Sequence, residues 1–340
     1  MGETRLRKRV LRSLGGGGGF GGRASGPAAK APRARKKWVS HGLSNRIVYG
    51  GLHYGGHWLP MPVLNAINLA GNTLAVTFLR KTKAGIRDNF EKALGVPPAE
   101  ASRLARSVFF EYGRHTIDAW RLRSEAFSPR ITSFDEDARA LAASRKNGRG
   151  FLLVTGHVGN WEMGAVTLRG HHLTPAVVGQ PELDPNVQQM RLALRQRLGV
   201  ESIDIGSSMA TAFKVRAAVD AGRAVALLVD RAYPEDEVVV PFFGRPTPFL
   251  RSPALLARFC DCDVLPGFFL RRTDGDYFNI WGQPLAADRS ADPEQDAARI
   301  MTRVAADLEA VIRAHPTQWF NFYRFWDGAG SKISPKNKQE

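Results

Sequence analysis

The sequence predicts an α/β fold in which a central mixed sheet is flanked by helices. From Gly150 onward, short apolar runs alternate with helical stretches, and this order is typical of a layered sheet-and-helix domain. Before that point, residues 38–149 are expected to be mainly helical. The hydrophobic fraction of 44% is ordinary for a globular protein, so a sizeable core is expected across residues 38–327.

Residues 1–37 are expected to form a disordered, basic, glycine-rich arm. They hold eleven Lys/Arg and a single acid, Glu3, out of a whole-chain net charge of +16. Such an arm is suited to an anionic membrane surface or to nucleic acid, or it is a solvated tail without a partner. It lacks both the interleaved aromatics of single-strand binders and the apolar stretch of a signal peptide. Residues 328–340 are expected to form a flexible tail.

Residues 58–79 contain no charged side chain and are long enough to be a transmembrane candidate. At 100° per residue, however, Asn65, Asn68 and Asn72 share one helical face, whereas the apolar side chains share the opposite face. The pattern therefore predicts an amphipathic helix that lies in a membrane interface or packs as a core helix. Several basic residues follow it, as expected beside anionic head groups.

The remaining elements follow from apolar periodicity and from Gly and Pro positions. Two helices are predicted over residues 84–94, ending at Gly95, and over residues 98–124, starting after two prolines. Strands are predicted over residues 151–154, 176–178, 224–229, 238–243, 264–270 and 277–281. Helices are predicted from residue 161 onward and over residues 185–198, 252–259 and 292–314.

The two cysteines, Cys260 and Cys262, are too close for an ordinary disulfide and too few for a structural zinc site. We expect both to pack in or near the core of a reduced, cytosolic chain. The sequence also lacks a Gly-x-Ser-x-Gly elbow and a His-Glu-x-x-His zinc motif. A protein nucleophile and a metal are therefore not expected.

The chemistry-bearing stretch follows the strand predicted at residues 151–154. There a His stands at a turn, and an acid follows five positions on, where a helix begins: Thr-Gly-His157-Val-Gly-Asn-Trp-Glu162. Because ligands bind at the carboxyl ends of strands in α/β sheets, His157 is well placed as a general base. Glu162 is the expected orienter of its ring. An isolated His-x4-Glu is also compatible with a structural role.

This block resembles the catalytic block of the late lipid A biosynthesis acyltransferases, the lauroyl/myristoyl transferase family, which includes phosphatidylinositol mannoside acyltransferases. The resemblance extends over about residues 45–327. Further matching blocks are Arg87-Asp-Asn-Phe, Arg191 with Leu198-Gly199, Asp230-Arg231, Pro241-Phe-Phe-Gly244, Gln318-Trp319 and Arg324-Phe-Trp326.

The resemblance implies a glycerolipid-acyltransferase-like fold and an N-terminal helical region that associates with the membrane. It implies transfer of an acyl chain from acyl carrier protein or coenzyme A to a glycolipid or phospholipid hydroxyl at the cytoplasmic face of the inner membrane, as in lipopolysaccharide biosynthesis. His157 and Glu162 would be the catalytic pair. The residues expected to bind substrate are Asn160, Arg191, Asp230, Arg231 and Arg324. No cofactor and no nucleic acid are expected.

Two features depart from the family pattern: the basic arm and asparagine-containing helix replace a clear membrane-spanning helix, and Tyr323 stands where a His is usual. Two other functions remain open from the sequence. One is a membrane-bound lipid or thioester hydrolase that uses water as acceptor. The other is a non-enzymatic adaptor that binds membranes or nucleic acid through its arm.

Overall fold

The computed structural model describes residues 59–122, 127–182, 184–205, 208–233 and 235–329. The predicted basic arm (residues 1–37) lies outside the described residues, as do residues 330–340 of the predicted tail. Both remain predictions from the sequence.

The described chain begins with three consecutive helices: α1 (Met61–Phe78), α2 (Arg80–Leu94) and α3 (Pro98–Arg121). α1 and α2 are bent by 88° at the break between them. Gly95 ends α2 in the left-handed conformation with φ 66°, which confirms the predicted C-cap, and Pro98 opens α3. Within the described residues no single helix is long and apolar enough to cross a membrane, whereas α1 and α2 meet the length and composition requirements as a bent pair.

Helix α1 turns Asn68 and Asn72, together with Leu64, toward the protein, whereas Asn65 and most of its apolar side chains are exposed. The amide of Asn68 donates to the carbonyl of Phe110 in α3 at 3.3 Å, and the amide of Asn72 donates to the Asn68 side chain at 2.6 Å. Gly113 of α3 makes this approach possible, because a Cβ there would overlap Asn68 Oδ1. The outward side chains, each at least 42% exposed, are Val63, Ile67, Leu69, Leu74 and Phe78.

The predicted α/β class with a mixed central sheet is confirmed. The sheet contains β1 (Phe151–Thr155), β2 (Pro175–Gly179), β3 (Glu201–Asp204), β4 (Ala224–Leu228), β7 (Val264–Arg271) and β8 (Tyr277–Trp281). Their order is β3-β2-β4-β1-β7-β8, with β8 antiparallel to β7 and the other pairs parallel. A separate antiparallel hairpin is formed by β5 (Glu237–Phe242) and β6 (Arg245–Leu250).

Helices cover both faces of the sheet: α4 (Phe134–Ala143), α5 (Trp161–Gly170), α6 (Pro185–Arg197), α7 (Ser208–Asp220), α8 (Ser252–Cys260) and α9 (Pro293–Ala314). Alternate residues of β1 serve two cores. Leu152 and Val154 pack in the cluster that contains side chains of α2, α3, α8 and α9, whereas Phe151 and Leu153 pack with those of α5 and α6. A 3₁₀ turn (Pro316–Gln318) and the short helix α10 (Phe325–Ala329) follow α9.

Six elements were not predicted: β3, β6, α4, α7, the 3₁₀ turn and α10. β3 is a four-residue edge strand in which only Ile203 is buried, so it has no apolar run. β6 contains Pro246 and Pro248, which normally argue against a strand, and its partner β5 leaves it on the edge of a two-stranded unit.

Candidate functional site

The site is built where β1 and β4 end side by side. Thr155 is paired with Leu228, and the amide of Val229 donates to the Thr155 carbonyl at 2.9 Å. The turns that leave these two strands bring His157 against Asp230. Nδ1 of His157 lies 2.6 Å from Asp230 Oδ1, and the backbone N–H of His157 donates to Oδ2 of the same carboxylate at 3.0 Å.

Burial and nearby charges favour a neutral His157 ring next to an ionised Asp230. Burial, and then the positive charge of Arg231, lower the pKa of His157, while Asp230 opposes this shift. Burial alone would raise the pKa of Asp230, but His157 and Arg231 lower it to about 2. A carboxylate accepts but does not donate, so Nδ1 carries the ring proton. Nε2, which has no hydrogen-bond partner among the described residues, is therefore left able to accept a proton.

The expected pairing of His157 with Glu162 is wrong, because Asp230 occupies that place. Glu162 lies in the first turn of α5 and points to two arginines of α6, with Oε1 3.8 Å from Arg191 and 3.8 Å from Arg195. Arg191 also pairs with Glu182. Besides burial and Arg231, the positive charge of Arg191 also lowers the pKa of His157, so Arg191 acts on this ring through its charge.

A second layer supports the carboxylate, and it includes a residue that sequence reasoning missed. The amide of Asn321 donates to Asp230 Oδ2 at 3.4 Å. Arg231 donates to Asn321 Oδ1 at 3.1 Å and to the carbonyl of Phe320 at 3.1 Å, and its guanidinium stacks 5.4 Å from the Tyr323 ring centroid. Arg231 thus holds the C-terminal segment against the site.

Two other predicted substrate-binding residues have mainly structural contacts. Asn160 is buried, and its amide donates to the His115 carbonyl and to the Tyr277 hydroxyl, each at 3.2 Å. Arg324 is 53% exposed and is paired with Asp88 at 3.5 Å and with Asp327 at 3.4 Å. The structure therefore brings Asp230, Arg231 and, through its charge, Arg191 to His157, but not Arg324.

The turn that carries His157 requires glycine at position 159. Gly159 has φ 64°, and a Cβ there would overlap the carbonyl oxygen of Phe269 in β7. Strand β7 continues past the end of β1, since Leu152 already faces Val264 at its start. The loop of residues 157–160 is therefore pressed against the extended end of β7.

Comparison with known proteins identifies the fold that carries this site. The family model described as bacterial lipid A biosynthesis acyltransferase matches residues 47–327. The chain belongs to this family. It is 28% identical over 285 residues to a phosphatidylinositol mannoside acyltransferase of Mycobacterium tuberculosis, covering 80% of this chain and 87% of that protein. It is 25% identical over 294 residues to the enzyme of the same name from Mycolicibacterium smegmatis, covering 84% and 95%.

Among solved structures, the 1-acyl-sn-glycerophosphate acyltransferase PlsC from Thermotoga maritima aligns with a TM-score of 0.34 and 14% identity. The alignment covers 73% of this chain and 95% of that one.

In this acyltransferase the two phenylalanines of the Phe-Phe-Gly block, Phe242 and Phe243, lie in the hydrophobic core. Phe242 and Phe243 are buried with Trp319 and Trp326 in one aromatic cluster. Phe243 occupies the β5–β6 turn with φ 52°, and its N–H donates to Glu309 at 2.6 Å. These contacts are those of packing residues in the core.

The acyltransferase's cysteines are both free and buried, as expected. They lie just before β7, whose first residue, Val264, faces Leu152 near the start of β1. His157 follows the opposite end of β1. The described site thus contains a histidine with its carboxylate but no thiol.

Proposed function

We propose that the protein moves a fatty acyl chain from an acyl thioester of acyl carrier protein or coenzyme A to a hydroxyl of a membrane glycolipid, such as a lipid A precursor. The observation that carries the proposal is the His157–Asp230 pair, with Nδ1 held at 2.6 Å and Nε2 left for substrate. A neutral imidazole with a fixed tautomer is the form that a general base requires at neutral pH.

The proposed reaction needs no covalent enzyme intermediate. Nε2 of His157 takes the proton of the acceptor hydroxyl as its oxygen attacks the thioester carbonyl. Asp230 stabilises the imidazolium that forms. The tetrahedral intermediate then expels the thiolate, which takes the proton back from Nε2. The N–H groups of Trp161 and Glu162 at the start of α5 are the donors we propose for the oxyanion, because Asn160 makes no side-chain cap to that turn. The N–H of Met163 already donates to the Asn160 carbonyl at 2.9 Å.

The mycobacterial relatives favour a phosphoinositol-based glycolipid as acceptor, since their names specify phosphatidylinositol mannoside. The test incubates purified protein and His157→Ala with labelled palmitoyl thioesters of both carriers. Separate reactions contain phosphatidylinositol mannoside, a lipid A precursor or no lipid. Label in one glycolipid with wild type alone supports the proposal. Label only in free fatty acid would point to a hydrolase instead, and equal transfer by His157→Ala would refute the role of the base.

We also propose that α1 lies in the plane of a membrane interface. The membrane we propose is the inner membrane, and the interface is its cytoplasmic face. Its inward face is bonded to α3 through Asn68, while its outward face exposes apolar side chains such as Ile67, Leu74 and Phe78. Exposed apolar patches of this kind mark interaction surfaces. The exposed basic residues Arg80 and Lys81 at the start of α2 suit anionic head groups.

Vesicle flotation tests this orientation. Replacing Ile67, Leu74 and Phe78 with Ser is expected to lower the fraction bound to phosphatidylglycerol vesicles at least about tenfold, because three half-exposed apolar side chains leave the acyl boundary. The control replaces Met209 and Phe213 of α7, which are equally exposed, with Ser. Deleting residues 1–37 should weaken binding mainly at low salt. Equal loss in the α7 control would contradict the assignment to α1.

A further inference from the structure

A chain of buried polar groups lies beneath the loop of residues 157–160. The Tyr277 hydroxyl accepts from the Asn160 amide at 3.2 Å and donates to Asp118 Oδ2 at 2.9 Å. The same oxygen accepts from Arg271 Nε at 2.7 Å. Asp118 and Tyr277 are at most 3% exposed, so this chain is shielded from water along its length.

The direction of each hydrogen bond is fixed by the chemistry of the groups. A carboxylate accepts only, so the single phenolic proton must point to Asp118. The phenolic oxygen then has a lone pair for the Asn160 amide, whose second proton goes to the His115 carbonyl. Arg271 pairs with Asp118 at 2.7 Å, so this buried acid has a cationic partner.

The chain also reaches the catalytic loop through the backbone. Gln318 bonds to both the N–H and the carbonyl of Arg271, at 3.0 and 2.9 Å, and its own carbonyl accepts from the Gly159 N–H at 2.9 Å. Two further backbone bonds fix the ends of the loop: Phe320 N–H to the His157 carbonyl and Asn160 N–H to the Phe269 carbonyl, each at 2.7 Å. The loop position is therefore tied to Asp118 by two routes.

We propose that Asp118, acting through Tyr277 and Asn160, is a positioning residue that sets where His157 presents Nε2 to the substrates. This inference rests on the proposed function, in which His157 is the base. It assigns to α3, an element outside the sheet, a part in the geometry of the reaction. Neither Asp118 nor Tyr277 needs to touch a substrate for this role.

Tyr277→Phe tests the proposal, because it removes the hydroxyl and keeps the ring. We expect kcat to fall about tenfold, in the range seen when supporting residues of a site are removed, since small misplacements of a reacting group are costly. KM for the acyl thioester should change less than twofold. The acid limb of kcat/KM against pH should not move, because the groups that shift the pKa of His157 are Asp230, Arg231 and Arg191.

Thr167→Val is the matched control. The Thr167 hydroxyl accepts from the amide of Asn279, a buried asparagine of β8, at 3.1 Å, so the same type of hydrogen bond is lost away from the loop. We expect the melting temperature of Thr167→Val to fall by about as much as that of Tyr277→Phe, with kcat unchanged. A wild-type kcat in Tyr277→Phe, or an equal fall in Thr167→Val, would overturn the proposal.

Hydrogen exchange separates failure of this inference from failure of the proposed function. In Tyr277→Phe the amides of residues 157–160 should exchange at least about tenfold faster than in wild type, whereas in Thr167→Val they should not change. Should the wild-type protein transfer no acyl group, the proposed function fails and exchange still decides whether Tyr277 fixes the loop. Unchanged exchange in Tyr277→Phe refutes the positioning role regardless of activity.

Discussion

Replacing Asp230 with Asn is the most direct perturbation of the site, because it keeps the shape and changes the hydrogen bonding. In the native protein one carboxylate oxygen accepts from Nδ1 of His157 and the other from its backbone N–H. An amide offers only one oxygen. Either its NH₂ group faces Nδ1, which forces the ring proton onto Nε2 and removes the base, or it faces the backbone N–H and leaves two donors opposed.

The size of the effect follows from these two arrangements. In the arrangement that keeps Nε2 free, the two opposed donors leave a buried N–H unsatisfied, which costs about 1–3 kcal/mol. This productive arrangement is therefore populated about ten- to hundredfold less than the one that forces the ring proton onto Nε2. Loss of the negative charge also removes the stabilisation of the imidazolium. The comparable change in a serine protease triad costs about 10⁴-fold. We expect kcat/KM of Asp230→Asn to fall about 10³- to 10⁴-fold.

The assay follows label transfer to lipid under kcat/KM conditions from pH 5.5 to 9, with circular dichroism to verify folding. Glu162→Gln is the comparison, because it weakens the pairs with Arg191 and Arg195 but leaves both bonds to His157. We expect its loss to be at least about tenfold smaller than that of Asp230→Asn. If Glu162→Gln abolishes turnover while Asp230→Asn retains most of it, the assignment of Asp230 as the ring's partner is incorrect.

Three further predictions follow from the same site. Arg231→Gln removes a positive charge that lowers the pKa of His157, so the acid limb of the pH–rate profile should move to higher pH; an unmoved limb would show that the charge is screened. Burial, aided by the charge of Arg271, lowers the pKa of His115 to about 3. Below pH 6.5 the unfolded state therefore binds more protons than the folded state. The contribution of His115 to the free energy of unfolding should drop by about 2 kcal/mol between pH 7 and pH 5. Urea unfolding of His115→Leu at both pH values should lack that part of the drop, and an identical drop would contradict it. Gly159→Ala should lower stability by about 2 kcal/mol or more and abolish turnover, because φ is 64° and Cβ meets a carbonyl; normal activity would show that the turn can relax.

The position of His157 at the end of a strand could be predicted from the sequence, whereas the carboxylate that bonds to it could not. His157 is marked by a buried strand that ends in a turn, and this signal is local. Asp230 lies 73 residues away, and the contact exists because β4 is next to β1 in the sheet. Periodicity predicts strands but not their order. Sequence spacing alone therefore indicates the nearby acid, Glu162, whereas the acid that bonds to His157 in the structure is Asp230.

The same limit applies to helix α1. Its two faces could be predicted at 100° per residue, but not which face turns to the protein. Asn68 and Asn72 are inward because α3 offers the Phe110 carbonyl and the gap at Gly113. The features that select the inward face therefore lie in α3 and not in the sequence of α1. β3 and β6 were missed for a different reason: edge strands of four to six residues with polar or proline positions lack an apolar run.

The segment after α9 closes the site from a great distance along the chain. Asn321 supports Asp230 across 91 residues, and Asn89 of α2 bonds to the Tyr323 carbonyl across 234. Contacts between residues so far apart in sequence are expected to form late in folding, because the entropy cost of closing a long loop precedes the stabilisation that the contacts provide. During synthesis, His157 therefore emerges from the ribosome long before the residues that lock its carboxylate. In a nascent chain, the pair of His157 and Asp230 lacks the support of Asn321 until the final segment has docked.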